Sequence, residues 1–268
     1  MSKLSLSRAW DDSRAIVARD GGLMASVALA LLVLPATIAG AINPAVLTSP
    51  TLPAGPMLAM WMVVLAIGLV GRLAVIRLAL GPSTSVGDAI RHGLVRLPAA
   101  LGALLLFVVP LSIALTPFML QVLETPLAPP PGASLAMLVI LIAAGVLGVR
   151  LVLLALPVAA GEQSGPTAIL KRSWQLSRGN WWRLAALVLL FFVASAVLTR
   201  AVTFAVGIPA GLISGPIKPL TLGALLLSLA VALVGAAAAV LFSVMLARIY
   251  TQLAAAGEPA AGVPTSGT

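Results

Sequence analysis

Residues 222–247 read LGALLLSLAVALVGAAAAVLFSVMLA, a run without one charged side chain, and Arg248 closes it. A hydrocarbon core about 30 Å thick needs about 20 residues of helix, so this stretch is long enough to span a bilayer. It lacks the alternation and the ~10-residue length of membrane β-strands, which makes helix the reading. Five further runs of the same kind lie upstream, at Leu23–Ile42, Met57–Leu80, Pro98–Leu120, Ala133–Val158 and Leu184–Val206. The fold class this predicts is all-α, a polytopic membrane bundle of six transmembrane helices. Composition agrees. Hydrophobic residues make up 61% of the chain and charged ones 9%, with mean hydropathy +1.15, whereas soluble domains are about 25% charged.

Charge decides orientation. Lys3, Arg8, Arg14 and Arg19 precede the first span, and Arg72, Arg77, Arg91 and Arg96 bracket the connection after the second. Arg150, Lys171, Arg172, Arg178 and Arg183 surround the connection after the fourth, and Arg248 ends the sixth. Fourteen of the sixteen Lys and Arg residues thus share one side, with Arg200 and Lys218 opposite. Basic residues near span ends are retained in the cytoplasm, so a multi-pass protein of the inner membrane with both termini cytoplasmic is predicted. Residues 1–20 form a cytoplasmic N-terminal tail in this reading, 21–254 the membrane domain, and 255–268 a disordered cytoplasmic C-terminal tail. A competing reading takes the basic tail, the first apolar run and Ala39-Gly40-Ala41 as a signal peptide with its cleavage site. The chain has no Cys, which excludes disulfides and thiolate metal sites. An excess of Arg over Lys, with abundant Ala, points to a GC-rich bacterial genome.

The two membrane faces are built differently. Outer connections at Ile42–Pro56, Gln121–Gly132 and Gly207–Leu220 are rich in Pro and Gly, which break helices and favour short extended turns. Inner connections are amphipathic. In Val86–Leu97 the positions Val86, Ile90, Gly93, Leu94 and Leu97 follow helical spacing opposite Asp88, Arg91, His92 and Arg96. Ser85, three residues before Asp88, offers a capping box. In Pro166–Arg178, Ile169, Leu170, Ser173 and Trp174 share one face and Lys171, Arg172, Gln175 and Arg178 the other. Basic helices of this kind lie in the membrane interface, with cations among anionic head groups. Interfacial helices near 84–97 and 166–180 are therefore expected.

These two segments also look like copies. Gly81-Pro82-Ser83-Thr84 precedes one and Gly165-Pro166-Thr167 the other, and a shift of eighty aligns Ile90 with Leu170, Arg91 with Lys171 and Leu94 with Trp174. Spans two and three would then repeat as spans four and five about an axis along the membrane normal.

The run Gly165-Pro166-Thr167-Ala168-Ile169-Leu170-Lys171-Arg172-Ser173-Trp174-Gln175-Leu176-Ser177-Arg178-Gly179-Asn180-Trp181-Trp182-Arg183 resembles the signature of a bacterial membrane-protein family. That family is named for the membrane domain of glycerophosphoryl diester phosphodiesterases. Its pattern is a basic amphipathic helix with Arg-Ser-Trp, then Gly-Asn and aromatics before a span; the Ile249-Tyr250 pair also fits. The resemblance covers residues 15–255 and implies a six-span layout. Some members carry a phosphodiesterase barrel after the membrane portion; with Thr268 the last residue here, a stand-alone membrane portion without that activity is expected. Apart from the family, Gly179 suits a helix end in left-handed conformation and Asn180 a cap for the next helix. Trp181 and Trp182 then fall at head-group depth, with Trp174, as interfacial anchors.

Catalytic chemistry is sparse. The seven carboxylates and one His do not converge: Asp11, Asp12 and Asp20 lie in the N-terminal tail, Glu258 in the other tail, Glu124 outside, and Asp88 and Glu162 inside. Metal-assisted hydrolysis needs several converging ligands, and His92 reads as a solvated residue on a polar face. No enzyme activity, cofactor, metal site or nucleic-acid partner is expected. Arg72, Arg150 and Arg248 fall inside span ends, where they either snorkel to the interface or form a basic ring that binds anionic head groups or pairs with Asp88 and Glu162. Ala144, Gly148, Gly235 and Ala239, at four-residue spacing, predict close helix packing. The function this favours is a non-enzymatic membrane protein. It engages anionic lipid of the cytoplasmic leaflet, or a protein partner, through Arg72, Arg150, Lys171, Arg172, Arg178, Arg183 and Arg248. A small transporter or channel is the alternative, and a membrane partner for a separate phosphodiesterase, implied by the resemblance, is the third.

Overall fold

A computed structural model of the chain describes residues 5–45, 55–81, 84–124, 131–151, 156, 158, 166–177, 181–215 and 217–257. Within them run α1 (Leu6–Ala28), α2 (Leu34–Ile42), α3 (Pro56–Leu80), α4 (Val86–Glu124), α5 (Pro131–Leu151), α6 (Pro166–Ser177), α7 (Trp181–Ser214) and α8 (Leu222–Gly257). A π-helical turn at Leu29–Val33 joins α1 to α2, and no strand occurs among the described residues. Five helices are long and apolar enough to cross a membrane: Ser7–Ile42, Pro56–Leu80, Val86–Phe118, Trp181–Leu212 and Leu222–Leu253. Leu135–Val149, in α5, is a shorter apolar helix. Of the span expected at Ala133–Val158, residues 152–155 and 157 lie outside the described set.

Local chemistry starts and bends these helices. Ser5 caps α1 by accepting from the Arg8 amide at 3.4 Å. Ser85 caps α4: its Oγ accepts from the Asp88 amide at 3.1 Å and donates to the Asp88 carboxylate at 2.6 Å. Thr221 caps α8 through the Ala224 amide. The π turn precedes Pro35, which has no N–H to give to the preceding turn. Leu34 N–H donates to Leu29 O, five residues back, and the widened turn carries the helix past the missing bond. Gly71 packs on that turn, where a Cβ would stand 3.0 Å from Leu31 Cβ.

α8 is central and touches α1, α2, α3 and α7; α4 lies on α3, α5 and α6 lie on α4, and α5 also meets α7. The start of α1 and the last turns of α8 lie at the same end of the bundle. There Ser5 N donates to Gln252 Oε1 at 3.3 Å and Arg248 Nη2 donates to Ala79 O at 2.8 Å. At the other end Leu220 N donates to Ala41 O at 2.8 Å. The main core belongs to the terminal end and contains Ala9, Ile16, Met24, Leu73–Ile76, Ala89, Ala100, Leu156, Val158, Ile169, Leu184 and Val244–Ala247, with Ile249 and Tyr250. A small second cluster joins Ala28 and Val33 to Ala232 and Ala236 of α8.

Several expectations change. The amphipathic segment Val86–Leu97 and the span after it are one helix, α4, with Pro98 inside. Ala89, Gly93, Ala100 and Ala103 form a continuous buried ridge of small residues, and at Gly93 an added Cβ would stand 3.0 Å from Val70 O. Pro98 sits with Leu94 on the exposed side, so its missing hydrogen bond does not interrupt the packed face. Likewise α7 continues through Pro209 to Ser214, into the expected outer connection. Residues 6–20, expected as a tail, are the first turns of α1, with Ala9, Ser13 and Ile16 buried. Residues 255–257 extend α8. Close packing is absent at Gly148 and Gly235, where an added Cβ would meet nothing within 4 Å; helices approach closely at Gly71 and Gly93 instead. Gly179 and Asn180 lie outside the described residues.

Candidate functional site

The last four carbonyls of an α-helix lack a partner within it and are satisfied by side chains, water or a tightened turn. At the end of α3, Gly81 N–H donates to Arg77 O and the guanidinium of Arg248, from α8, donates to Ala79 O. A cation at a helix C-terminus also meets the negative end of the dipole. Arg248 is thereby a tie between two helices. Its Nε, and Nε2 of Gln252 one turn on, are buried without a hydrogen-bond partner among the described residues. Sequence reading treated Arg248 as a lipid contact or a snorkelling side chain and missed both Ala79 and Gln252. Arg72, seven residues before Ala79, is exposed on the bundle surface. The side chain of Arg150 lies outside the description, as does Glu162, and Asp88 is engaged by Ser85.

α6 is seated by Ile169 and Ser173, four residues apart and both fully buried. Its neighbours are α4 and α5, with a smaller contact to α8. Lys171 and Gln175 are exposed. Trp174, expected on the apolar face with Ile169, is 39% exposed. It stands at the rim between the buried face, marked by Ile169 and Ser173, and the exposed one that carries Lys171 and Gln175. The side chains of Leu170 and Arg172, and all of Arg178, are outside the description.

At the start of α7, Trp181 and Trp182 have ring centroids 5.7 Å apart, tilted by 44°. Trp181 turns towards α5, its Nε1 3.5 Å from Val146 O. Trp182 points outward and is 73% exposed, and Arg183 beside it is also exposed. Lys171, Trp174, Trp182 and Arg183 therefore lie on the surface within thirteen residues of chain. Trp10 on α1, which the sequence reading did not single out, is a further exposed indole near the N-terminal start of the bundle.

His92 departs from its expected solvated role. It is half-buried, and its Nε2 faces Val158 O at 3.3 Å, tying the start of α4 to the segment ahead of α6. Among the described residues, no group of three or more His, Cys, Asp or Glu side chains could hold a metal ion. Among the described residues an ion pair is local, Arg19 to Asp20 at 2.7 Å. What the arrangement offers is a surface of cations and indoles, the side-chain types that suit head-group phosphates and the glycerol zone.

Residues 122–261, just over half of the chain, match the family model described as the membrane domain of glycerophosphoryl diester phosphodiesterase. The match begins at the last turn of α4 and takes in α5–α8. No curated protein and no solved structure matches the chain.

Proposed function

This chain belongs to the family of the membrane domain of glycerophosphoryl diester phosphodiesterase, and from that premise we propose a non-enzymatic lipid-engaging role for its basic end. It is a multi-pass membrane protein; the proposal adds six spans, with α5 and the residues after it as the fourth, and an inner-membrane location with both termini cytoplasmic. The single supporting observation is the outward set Lys171, Trp174, Trp182 and Arg183, carried by α6 and the first turn of α7. α6 lies at the interface in this reading. Ile169 and Ser173 hold it to the bundle while Lys171, with Arg172 and Arg178, meets anionic head groups of the cytoplasmic leaflet. Each cation near such a surface contributes about 1 kcal/mol, and exposed indoles favour the same depth. Arg72 extends the basic surface; Arg248, committed to Ala79, holds α3 against α8.

The test is native mass spectrometry of the purified protein with phosphatidylglycerol. Lys171→Gln combined with Arg183→Gln should lower bound lipid about thirtyfold, the factor for two lost head-group contacts of about 1 kcal/mol each. Unchanged occupancy would remove the reading.

A transporter is the second reading, supported by a polar stripe on α7. Ser195, Thr199, Arg200 and Thr203 line a cleft of about 270 Å³ with Phe192 and Ala196, and an ionisable residue within a span often marks a solute path. Solute flux into proteoliposomes that Arg200→Gln abolishes would favour it. A third role, as membrane partner of a separate phosphodiesterase, follows from the family description alone.

A further inference from the structure

Asp11 and Arg14 stand one turn apart on the same face of α1, the spacing at which opposite charges usually pair. They do not pair here: neither side chain has a hydrogen bond or ion pair among the described residues, whereas Arg19 and Asp20 further along α1 do bridge. Instead both line an open cleft of about 540 Å³ whose remaining walls are Ala15, Val17, Ala18 and Leu241 of α8. The cleft is amphipathic along the helix axis. Its apolar floor lies towards the middle of the bundle and its two charges lie towards the chain termini.

The depth of this cleft matches a leaflet boundary. Leu241 is nineteen residues from Leu222, the first residue of α8, and at 1.5 Å per residue that is roughly 28 Å, close to the thickness of a hydrocarbon core. Arg14 follows Ala18 by about 6 Å towards the N-terminus and Asp11 by about 4.5 Å more, at the same rise. Acyl chain, phosphate and a terminal cation occur in that order along an aminophospholipid.

We propose that this cleft seats one phospholipid whose head group carries both a phosphate and a primary ammonium. Arg14 binds the phosphate through its planar fork. Asp11 accepts hydrogen bonds from the ammonium, and the first part of an acyl chain lies over Ala15, Ala18 and Leu241. The alanines matter because longer side chains there would fill the floor. Selectivity follows from Asp11: an anionic lipid without an amine places its phosphate near an uncompensated carboxylate, and a trimethylated amine has no N–H to donate. The preference is thus opposite to that proposed for α6. The inference rests on the same placing of the bilayer as that proposal but not on the α6 surface.

The experiment is native mass spectrometry of the full-length protein titrated separately with phosphatidylethanolamine, phosphatidylglycerol and phosphatidylcholine. The unmodified protein should retain phosphatidylethanolamine over phosphatidylcholine. Asp11→Asn should lower phosphatidylethanolamine retention about fivefold, the factor for one exposed ion pair, without lowering phosphatidylglycerol; Asp11→Glu should restore it. Arg14→Gln should lower both phosphatidylethanolamine and phosphatidylcholine, and Ala15→Leu should do the same by filling the floor. An unchanged ratio of phosphatidylethanolamine to phosphatidylglycerol in Asp11→Asn would overturn the proposal. So would equal retention of the ethanolamine and choline lipids by the unmodified protein. The double variant Lys171→Gln with Arg183→Gln separates the two readings. If it keeps phosphatidylglycerol while Asp11→Asn still loses phosphatidylethanolamine, the α6 proposal fails and the cleft stands. If it loses phosphatidylethanolamine as fully as Asp11→Asn does, the cleft is not a separate site and fails.

Discussion

The two ends of this bundle are made of similarly apolar helices yet pack in opposite ways. In α3 the stretch from Val70 to Ala79 is almost wholly buried, while Leu58, Met62, Val63 and Leu65 of the same helix are exposed. α7 buries Leu184 and Leu187 near its start and then exposes Leu189, Leu190, Phe192, Val193 and Val197. α4 repeats the pattern, with Ala89, Ala100 and Ala103 buried and Leu105, Leu106, Val109 and Ile113 exposed. The packed end is the one that carries the charges. The hydrophobic effect acts where water is present, so helices must bury their apolar stripes at the end that meets solvent. Inside the bilayer, lipid tails solvate Leu as well as another helix does, and no such drive exists. That difference is what the proposed placement, with the charged end in water, predicts for α3, α4 and α7; α8 departs from it by burying Ala224, Leu227 and Ser228 near its start.

Side-chain truncation should break that comparison most sharply. Ile249→Ala, at a fully buried position of the charged end, should cost about 3 kcal/mol through lost contacts and a residual cavity. Leu190→Ala, 65% exposed on α7, should cost less than about 0.5 kcal/mol. Reversible unfolding in mixed micelles measures both, and equal losses would mean that the two ends are packed alike.

Added bulk gives the next largest contrast. Gly93→Leu pushes a side chain against the Val70 backbone and should cost about 2 kcal/mol by overpacking. Gly148→Leu enters open space and should leave the unfolding midpoint in place. Substituting Arg248 by Met keeps the stem but leaves Ala79 O without its donor, a loss of about 1 kcal/mol. Arg248→Lys should recover part of it, and no recovery would argue against the hydrogen bond. The smallest effect belongs to the other end. Leu220 has φ +60, a strained position for a branched side chain, so Leu220→Gly should raise stability by about 0.5–1 kcal/mol.

The same physics explains what could be read from sequence. Apolar length alone marked the spans that became α3 and α8, because a bilayer sets that length. Ser85 and Asp88 marked the start of α4, since capping is local chemistry. Proline was misleading at one boundary: Pro98 read as the start of a span, a rule drawn from helices in water, and it sits inside a longer helix on an exposed face. Leu6, Ala9, Ser13 and Ile16 carry helical spacing, but six charges among residues 8–20 made that stretch look like a solvated tail. At the candidate surface, Lys171 was legible as an exposed position of a charged face, whereas Trp174 read as part of the apolar face and stands 39% exposed. The partnership of Arg248 with Ala79 was not legible, because it joins residues 169 positions apart and leaves no local pattern. Gly148 and Gly235 show the converse, a motif present without the contact that would give it meaning.

Cysteine labelling in native membranes tests the contrast most directly, since the chain contains no Cys of its own. Val95, 71% exposed on the charged stretch of α4, is replaced by Cys in one variant, Leu190 in a second and buried Ile249 in a third. Each is treated with a membrane-impermeant maleimide in inverted vesicles and in intact cells. Expected is rapid labelling of the Val95 variant in inverted vesicles alone, and none of the Leu190 or Ile249 variants in either preparation. Labelling of the Leu190 variant, or of the Val95 variant from outside the cell, would contradict a packed basic end standing in the cytoplasm over a lipid-solvated apolar half.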